Sequence, residues 1–372
     1  MNKFKVVHVS DLHFGLSTFG VDNPETSLNT RTEDIFRAFS QCVDYCINNK
    51  VKICIISGDI FHTKTPSQQV VNEYYKYIQQ LSANDVFVYV LFGNHDIAKQ
   101  QSKRCALDIP KTLNITNVFS TKGDDDILNL GYIQLYSPNY WDTDEILFNK
   151  INNAINNLQS NIPAILVAHL QTETSNFKIG GAFEDLHIVP LEYLTSLSWS
   201  YVALGHVHQY EKLHDNPPVY YASSLARTSF AEEFDNKGFN VITFENNKVT
   251  NIERIPVNCL KMLTIKGTPK EIFNQLENKS TEDFKNTIVR VISDETSNQT
   301  TDEKFLKDIF SKSFKYILKK ENNKIQHNQI DTTNLLDIKE YAKKYFENHK
   351  RKDDLLNMIE EFRLKDEEKN IV

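Results

Sequence analysis

Short apolar runs recur along the chain, each closed by a polar turn: FKVVHVS (4–10), VKICIIS (51–57), VFVYVLF (86–92), IPAILVAHL (162–170) and WSYVALG (199–205). They are rich in β-branched residues and apolar at successive positions, the pattern of interior strands in a sheet covered on both faces. Between the early runs the spacing changes. Over 32–49, Ile35, Phe36, Phe39, Val43, Cys46 and Ile47 fall on one helical stripe. Over 67–82, Val70, Val71, Tyr74, Tyr77, Ile78 and Leu81 do the same, so both stretches predict amphipathic helices. Strands alternating with helices predict α/β layers. After about residue 215 the text becomes PPVYYASSL and GFNVITFENNKVTNIERIPV, which predicts a β-meander with ENNK as the turn between two strands.

Residues 258–328 read as a smaller unit: strand 260–266, helix 269–278, strand 286–293 and helix 303–320. NNKIQHNQIDTTN (322–334) reads as a polar linker. The stretch 335–372 is helical again, with Leu335, Ile338, Tyr341, Ala342 and Tyr345 on one stripe and Leu355, Met358, Ile359 and Phe362 on another. The domain boundaries expected are 1–257, 258–328 and 333–372.

A chain of 372 residues with 40% hydrophobic and 24% charged residues has the composition of an ordinary globular protein. No apolar stretch approaches the roughly 18 residues of a membrane span, and MNKFKVVHVSDLHF lacks a secretory signal pattern. Five cysteines (Cys42, Cys46, Cys54, Cys105, Cys259) form no regular framework, which favours reduced thiols and a cytoplasmic setting. Cys42 and Cys46 share a helix face and read as buried core thiols. The net charge of −7 argues against a nucleic-acid binder that relies on its own basic surface. Bound cations would reverse that sign locally.

Groups able to hold such cations close each strand-like run. SDLH gives Asp11 and His13; SGDIFH gives Asp59 and His62; GNHD gives Asn94, His95 and Asp96; AHL gives His169; ALGHVH gives His206 and His208. The carboxyl ends of strands in an α/β sheet gather around one crevice, so groups distant in sequence can converge there. Imidazole, carboxylate and amide donors suit Mn²⁺, Fe²⁺ or Zn²⁺, and the lack of nearby thiolates argues against a structural zinc site. Asp11, His13, Asp59, Asn94, His169, His206 and His208 are too many for one ion and suit two, sharing a carboxylate. Only two of them are anionic, so two divalent ions would leave the cluster positively charged and attractive to a phosphodiester. They would also make hydroxide available near neutral pH.

This order of motifs resembles the calcineurin-like metallophosphoesterase superfamily, with its D-x-H, G-D, G-N-H-[DE], H and G-H-x-H signature. The resemblance implies a four-layer β-sandwich flanked by helices. It implies Asp11, His13, Asp59 and His208 on one metal, and Asp59, Asn94, His169 and His206 on the other, with two Mn²⁺ (Fe²⁺ or Zn²⁺ as substitutes). His95, not a ligand, would donate a proton to the leaving oxygen or stabilise the transition state. Phosphoprotein phosphatases carry G-D-x-V-D-R-G, whereas this chain reads GDIFHTK. A histidine three residues after the bridging aspartate is similar to DNA-repair nucleases of the SbcD and meiotic-recombination type, where it helps place DNA; here that is His62.

YYASSLARTSFAEEFDNKGFNVITF (220–244) is similar to that family's Y-P-G-S-x-x-R-x-x-F-x-E segment, with Ala222 read at the glycine position. Arg31 and Arg227 are candidate phosphate contacts. The unit at 258–328 resembles the capping domain of these nucleases, and 333–372 the segment that grips an SbcC-type ATPase. The resemblance thus implies a Mn-dependent DNA exonuclease and endonuclease acting in repair or recombination. DNA, an SbcC-like coiled-coil ABC ATPase and a second copy of the chain would be its partners, and no membrane. A stand-alone phosphodiesterase acting on a small ester is the competing expectation.

Overall fold

In the computed structural model, residues 3–97, 105–109, 115–123, 126–173, 188–295 and 299–322 are described. Residues Met1–Glu321 form one unit and Asn322–Val372 a second. The five apolar runs all become strands, but they divide between two sheets. The first sheet has the order β14-β13-β1-β2-β3-β4. Its members are β1 (Lys3–Val9), β2 (Ile53–Ser57), β3 (Phe87–Leu91), β4 (Val118–Thr121), β13 (Gly238–Glu245) and β14 (Lys248–Pro256). The second has the order β11-β12-β10-β7-β6-β5. It comprises β5 (Leu128–Asn129), β6 (Gln134–Tyr136), β7 (Ala164–His169), β10 (Tyr201–Gly205), β11 (Glu211–Asp215) and β12 (Pro218–Tyr221). A short ribbon of β8 (Gln171–Thr172) and β9 (Ile188–Val189) lies apart.

Two sheets explain why the runs are apolar at every position. Along β1 and β2, Val6, Ile53 and Ile55 face the second sheet, where Ile165, Val167, Tyr201 and Ala203 meet them. Their neighbours Val7, Val9, Cys54 and Ile56 face the other way, beneath α1 (Thr30–Asn48) and α2 (Gln68–Ala83), against Ile35, Phe39, Val43, Val70 and Ile78. On the far side, Leu166, Ala168, Val202 and Leu204 lie under Leu147, Ile151 and Ala154 of α3 (Asp144–Asn157). The result is helix, sheet, sheet, helix: the four-layer sandwich expected from the motifs. Burial of each such side chain contributes roughly 1.5–3 kcal/mol, so both faces of every central strand are committed. Cys42, Cys46 and Cys54 are buried side by side in the helix-facing layer.

The helices begin where the sequence offers caps. The Asn29 side chain accepts from the Arg31 N–H, and that of Ser67 from the Val70 N–H. The ENNK turn forms as expected, with Asn246 and Asn247 at φ 50° and 63°, the left-handed values that asparagine tolerates in a two-residue hairpin.

A third sheet of order β15-β16-β17 follows: β15 (Lys261–Gly267), β16 (Thr287–Glu295) and β17 (Lys315–Asn322). Helices α4 (Pro269–Leu276) and α5 (Glu303–Ile309) accompany it. Ile265, Ile272, Leu276, Phe284, Val289, Val291, Leu306 and Phe310 form its separate core. The helix expected over 303–320 is corrected here. It ends at Ile309, and 315–322 is a strand whose Tyr316 and Leu318 pack on one core while Ile317 packs on another with Leu260, Met262 and Ile288. That period of two defines a strand. Residues 323–372, and with them the expected tail at 333–372, lie outside the described residues.

Candidate metal centre

Strands β1, β2 and β3 run parallel, as do β7 and β10, so within each sheet their carboxyl ends share one edge. The two edges meet: His169 Nδ1 at the end of β7 lies 2.9 Å from the Ser57 carbonyl at the end of β2. Seven of the side chains singled out in the sequence gather there. Asp11, His13, Asp59 and His169 are buried, while Asn94, His206 and His208 are partly exposed.

The backbone at this edge is strained. Asp11, His13, Asp59 and His206 have φ of 52°, 49°, 49° and 93°, the left-handed region that costs a non-glycine residue roughly 1–2 kcal/mol. The surrounding hydrogen bonds enforce it. Asp11 N–H donates to the Gly58 carbonyl at 3.1 Å, His13 N–H to the Asp59 carbonyl at 3.0 Å, and His206 N–H to Asp11 Oδ1 at 3.0 Å. Strain concentrated on four clustered polar residues is a mark of function. The glycines of the motifs provide room. A Cβ on Gly58 would stand 2.1 Å from His169 Nδ1, and one on Gly93 2.1 Å from Asp59 Oδ1.

Two groups of ligand atoms result. The ligand atoms of Asp11, His13 and His208 lie within 4.8 Å of one another, and so do those of Asp59, His169 and His206. Asn94 Oδ1 joins the second group, 3.1 Å from His169 Nε2 and 3.3 Å from His206 Nδ1. Asp59 faces both: Oδ1 is 3.4 Å from His169 Nε2 and Oδ2 is 3.8 Å from His13 Nε2.

The residues fit divalent cations. His13 Nε2 and His208 Nε2 are 2.9 Å apart, the spacing of two donors that each sit about 2.1 Å from one ion. His169 gives its Nδ1–H to the Ser57 carbonyl, which leaves the Nε2 lone pair aimed at Asp59 and Asn94. Burial, reinforced by the His169 charge, drives His206 down to about 3, and burial with the neighbouring His208 holds His13 well below its ordinary value. Burial opposes ionisation of Asp59, yet His169 and His13 hold its carboxyl well below the usual carboxylate range. Neutral imidazoles around an ionised carboxylate are the protonation states that metal binding requires.

His95 borders both groups without belonging to either. Its N–H donates to Asp59 Oδ1 at 2.9 Å, and its Nδ1–H donates to the His62 carbonyl at 2.8 Å, leaving Nε2 for proton exchange. The His62 ring stacks on that of His95 at 5.7 Å, partly exposed at the rim. Asp96, the last residue of GNHD, is directed away: its carboxylate accepts from the N–H groups of Gly93, Ile60 and Phe61 and so ties the second motif to the third.

Two expectations are corrected. Arg31 is fully buried, paired with Asp34 at 2.5 Å and bonded to the Arg227 carbonyl, so it has no route to a phosphate. Arg227 gives its guanidinium to the carbonyls of Glu233, Leu260 and Asp235. Both arginines are structural, because a fork of five donors is most useful where backbone carbonyls need partners. The glycine position of the 220–244 segment also shifts. Ala222 has ordinary φ, and the left-handed residue is Ser223 at φ 71°.

Reading the motifs alone missed Glu232 and Lys237. Glu232 Oε1 lies 3.0 Å from His208 Nδ1, and buried Lys237 lies 2.6 Å from Glu232 Oε2. The signal was present in the F-x-E segment and its K-G sequel.

The calcineurin-like phosphoesterase family model matches residues 4–210, more than half of the chain. The DNA double-strand break repair protein Mre11 of Methanocaldococcus jannaschii is 24% identical over 284 residues, 73% of this chain and 72% of that protein. Its namesake from Methanococcus maripaludis is 26% identical over 294 residues, 74% and 72% of the two chains. The D subunit of the SbcCD nuclease of Escherichia coli K12 is 24% identical over 304 residues, 73% of each. With its two ligand groups meeting at Asp59, the chain belongs to the calcineurin-like phosphoesterase family.

Proposed function

We propose that this chain is a Mn-dependent nuclease that hydrolyses phosphodiester bonds at DNA ends, working as part of a larger complex. Asp11, His13, Asp59 and His208 would hold one cation, and Asp59, Asn94, His169 and His206 the other. The observation that carries the reading is Asp59, whose two oxygens face the two groups separately. Cations held there supply a nucleophile from water near neutral pH and offset the charge of the phosphate. His95, anchored through Nδ1 and its own N–H, presents Nε2 to protonate the leaving oxygen. His62, at the rim beside His95, guides the DNA backbone into place.

The names of the relatives support DNA as substrate. That of the Escherichia coli protein supports an SbcC-like ATPase as partner, with 333–372 as the segment that engages it, 258–328 as a cap and a homodimer as the working form. The test is chelator-treated full-length protein reloaded with Mn²⁺ and offered linear duplex DNA and bis(p-nitrophenyl) phosphate. Cleavage of both, with two ions per chain, is expected. Hydrolysis of the small ester with DNA left intact would replace the nuclease by a small-ester phosphodiesterase.

A further inference from the structure

The turn that carries Glu232 is tied down on every side. Its carboxylate is buried and surrounded by donors: Thr228 Oγ1 and His208 Nδ1 on one oxygen, Ser224 Oγ at 3.1 Å and Lys237 Nζ at 2.6 Å on the other. Lys237 Nζ also donates to the His208 carbonyl at 2.9 Å. One buried ion pair thus grips His208 by ring and backbone together. The same turn is held by the third sheet: Thr264 N–H of β15 donates to Glu233 Oε1 at 2.8 Å, and the Arg290 guanidinium of β16 lies 4.2 Å over the Phe230 ring.

A carboxylate already accepting from a hydroxyl, a second hydroxyl and an ammonium has no proton to give. His208 must therefore be the donor at Nδ1, and its lone pair is fixed at Nε2, which stands 2.9 Å from His13 Nε2. A ring free to choose would present either nitrogen. Among the described residues, Glu232 is the one buried charged partner on the Nδ1 edge of the partly exposed His208 that can make the choice.

We infer that Glu232, braced by Lys237, is a positioning residue that sets the tautomer and orientation of His208 and thereby the cation affinity of the Asp11–His13–His208 group. This rests on the metal reading above, and it deepens that reading by giving one of the two cation positions its own support. Carboxylate partners of metal-binding histidines typically change affinity by about 10–100-fold. The other group, Asp59, Asn94, His169 and His206, is not bonded to Glu232 and should be unaffected.

The experiment compares full-length parent, Glu232→Ala and the double variant Glu232→Ala/Lys237→Met, which leaves no buried ammonium unpaired. Ring ¹⁵N spectra of metal-free protein at pH 8 should show His208 as the Nδ1–H tautomer in the parent and as a mixture of tautomers in both variants. Calorimetric titration with Mn²⁺ should show two ions in the parent. In the double variant one of them should bind about 10–100-fold more weakly and the other unchanged. An unaltered tautomer together with two parental affinities in the double variant would overturn the inference. A parent that takes fewer than two ions would overturn the two-metal reading instead, and the spectra would still decide the role of Glu232.

Discussion

Replacing Gly58 by alanine tests how the backbone makes room for the site. Gly58 sits at φ +96°, and an added Cβ would lie 2.1 Å from His169 Nδ1, 2.5 Å from its Cγ and 2.9 Å from its Cβ. Two costs add. Holding an L-residue in the left-handed region costs about 1–2 kcal/mol. The His169 ring must also retreat by about 1 Å to restore ordinary contact, which breaks its 2.9 Å bond to the Ser57 carbonyl and loses about 1 kcal/mol more. Together the loss is about 2–3 kcal/mol. A ligand displaced by an ångström lowers turnover about 100-fold. Gly131→Ala is the control, since Gly131 has φ +83° with nothing within 4 Å of the added Cβ, and so carries the dihedral cost alone. Urea midpoints and Mn-dependent phosphodiesterase rates of both variants decide the matter. Gly58→Ala should be less stable than Gly131→Ala and about 100-fold slower. Equal stabilities with full activity in Gly58→Ala would refute the steric account.

Asp59→Asn should weaken both cations at once and reduce the rate more than any other single ligand change; loss of only one ion, counted by native mass spectrometry, would contradict a shared carboxylate. His95→Ala should slow hydrolysis about 10²–10⁴-fold while two ions remain bound, and a variant as fast as the parent would remove His95 from the reaction. His8 is pushed down to about 3 from 6.5, by burial first and then by the charge of Arg254. Between those values the unfolded chain takes up a proton that the folded chain refuses, so His8 lowers stability as pH falls through the window and has no effect above it. The parent should lose up to about 1.4 kcal/mol per pH unit there relative to His8→Gln, and parallel urea titrations would refute the assignment. Arg31→Ala should cost about 3 kcal/mol by disrupting a buried pair yet leave DNA affinity at the parental level; a weakened, salt-dependent affinity would return Arg31 to the phosphate contacts.

The chemistry of the site was legible because each motif pairs a ligand with the turn that ends a strand, and parallel strands bring such turns to one edge. What the residues could not convey was conformation. Nothing in SDLH or SGD announces that Asp11, His13 and Asp59 adopt left-handed φ, since that strain comes from the neighbouring chain. The runs at 51–57 and 199–205 are equally apolar and read alike, yet they belong to sheets stacked face to face. Arg31 and Arg227 were misread for a related reason. An arginine after a strand-end loop looks ready for phosphate, but the guanidinium partners are carbonyls brought near only by the fold. The segment 315–322 was assigned by continuity with the helix before it, although Tyr316 and Leu318 already alternate with Ile317 and Lys319.

The strand order around β1 has a consequence for how the chain can be divided. β1 lies between β2, parallel to it, and β13, antiparallel to it, with Lys3 paired to Glu245 and His8 to Asn240. The first strand to be synthesised therefore waits for one of the last strands of the sandwich before its second edge is covered. A fragment cut after the ALGHVH motif would contain every proposed ligand, but β1 would offer an open row of amides and carbonyls, the kind of edge that recruits other chains. Such a fragment should aggregate. The ligands are complete at residue 208, but the sheet that holds Asp11 in place is sealed only when Gly238–Glu245 is laid against it.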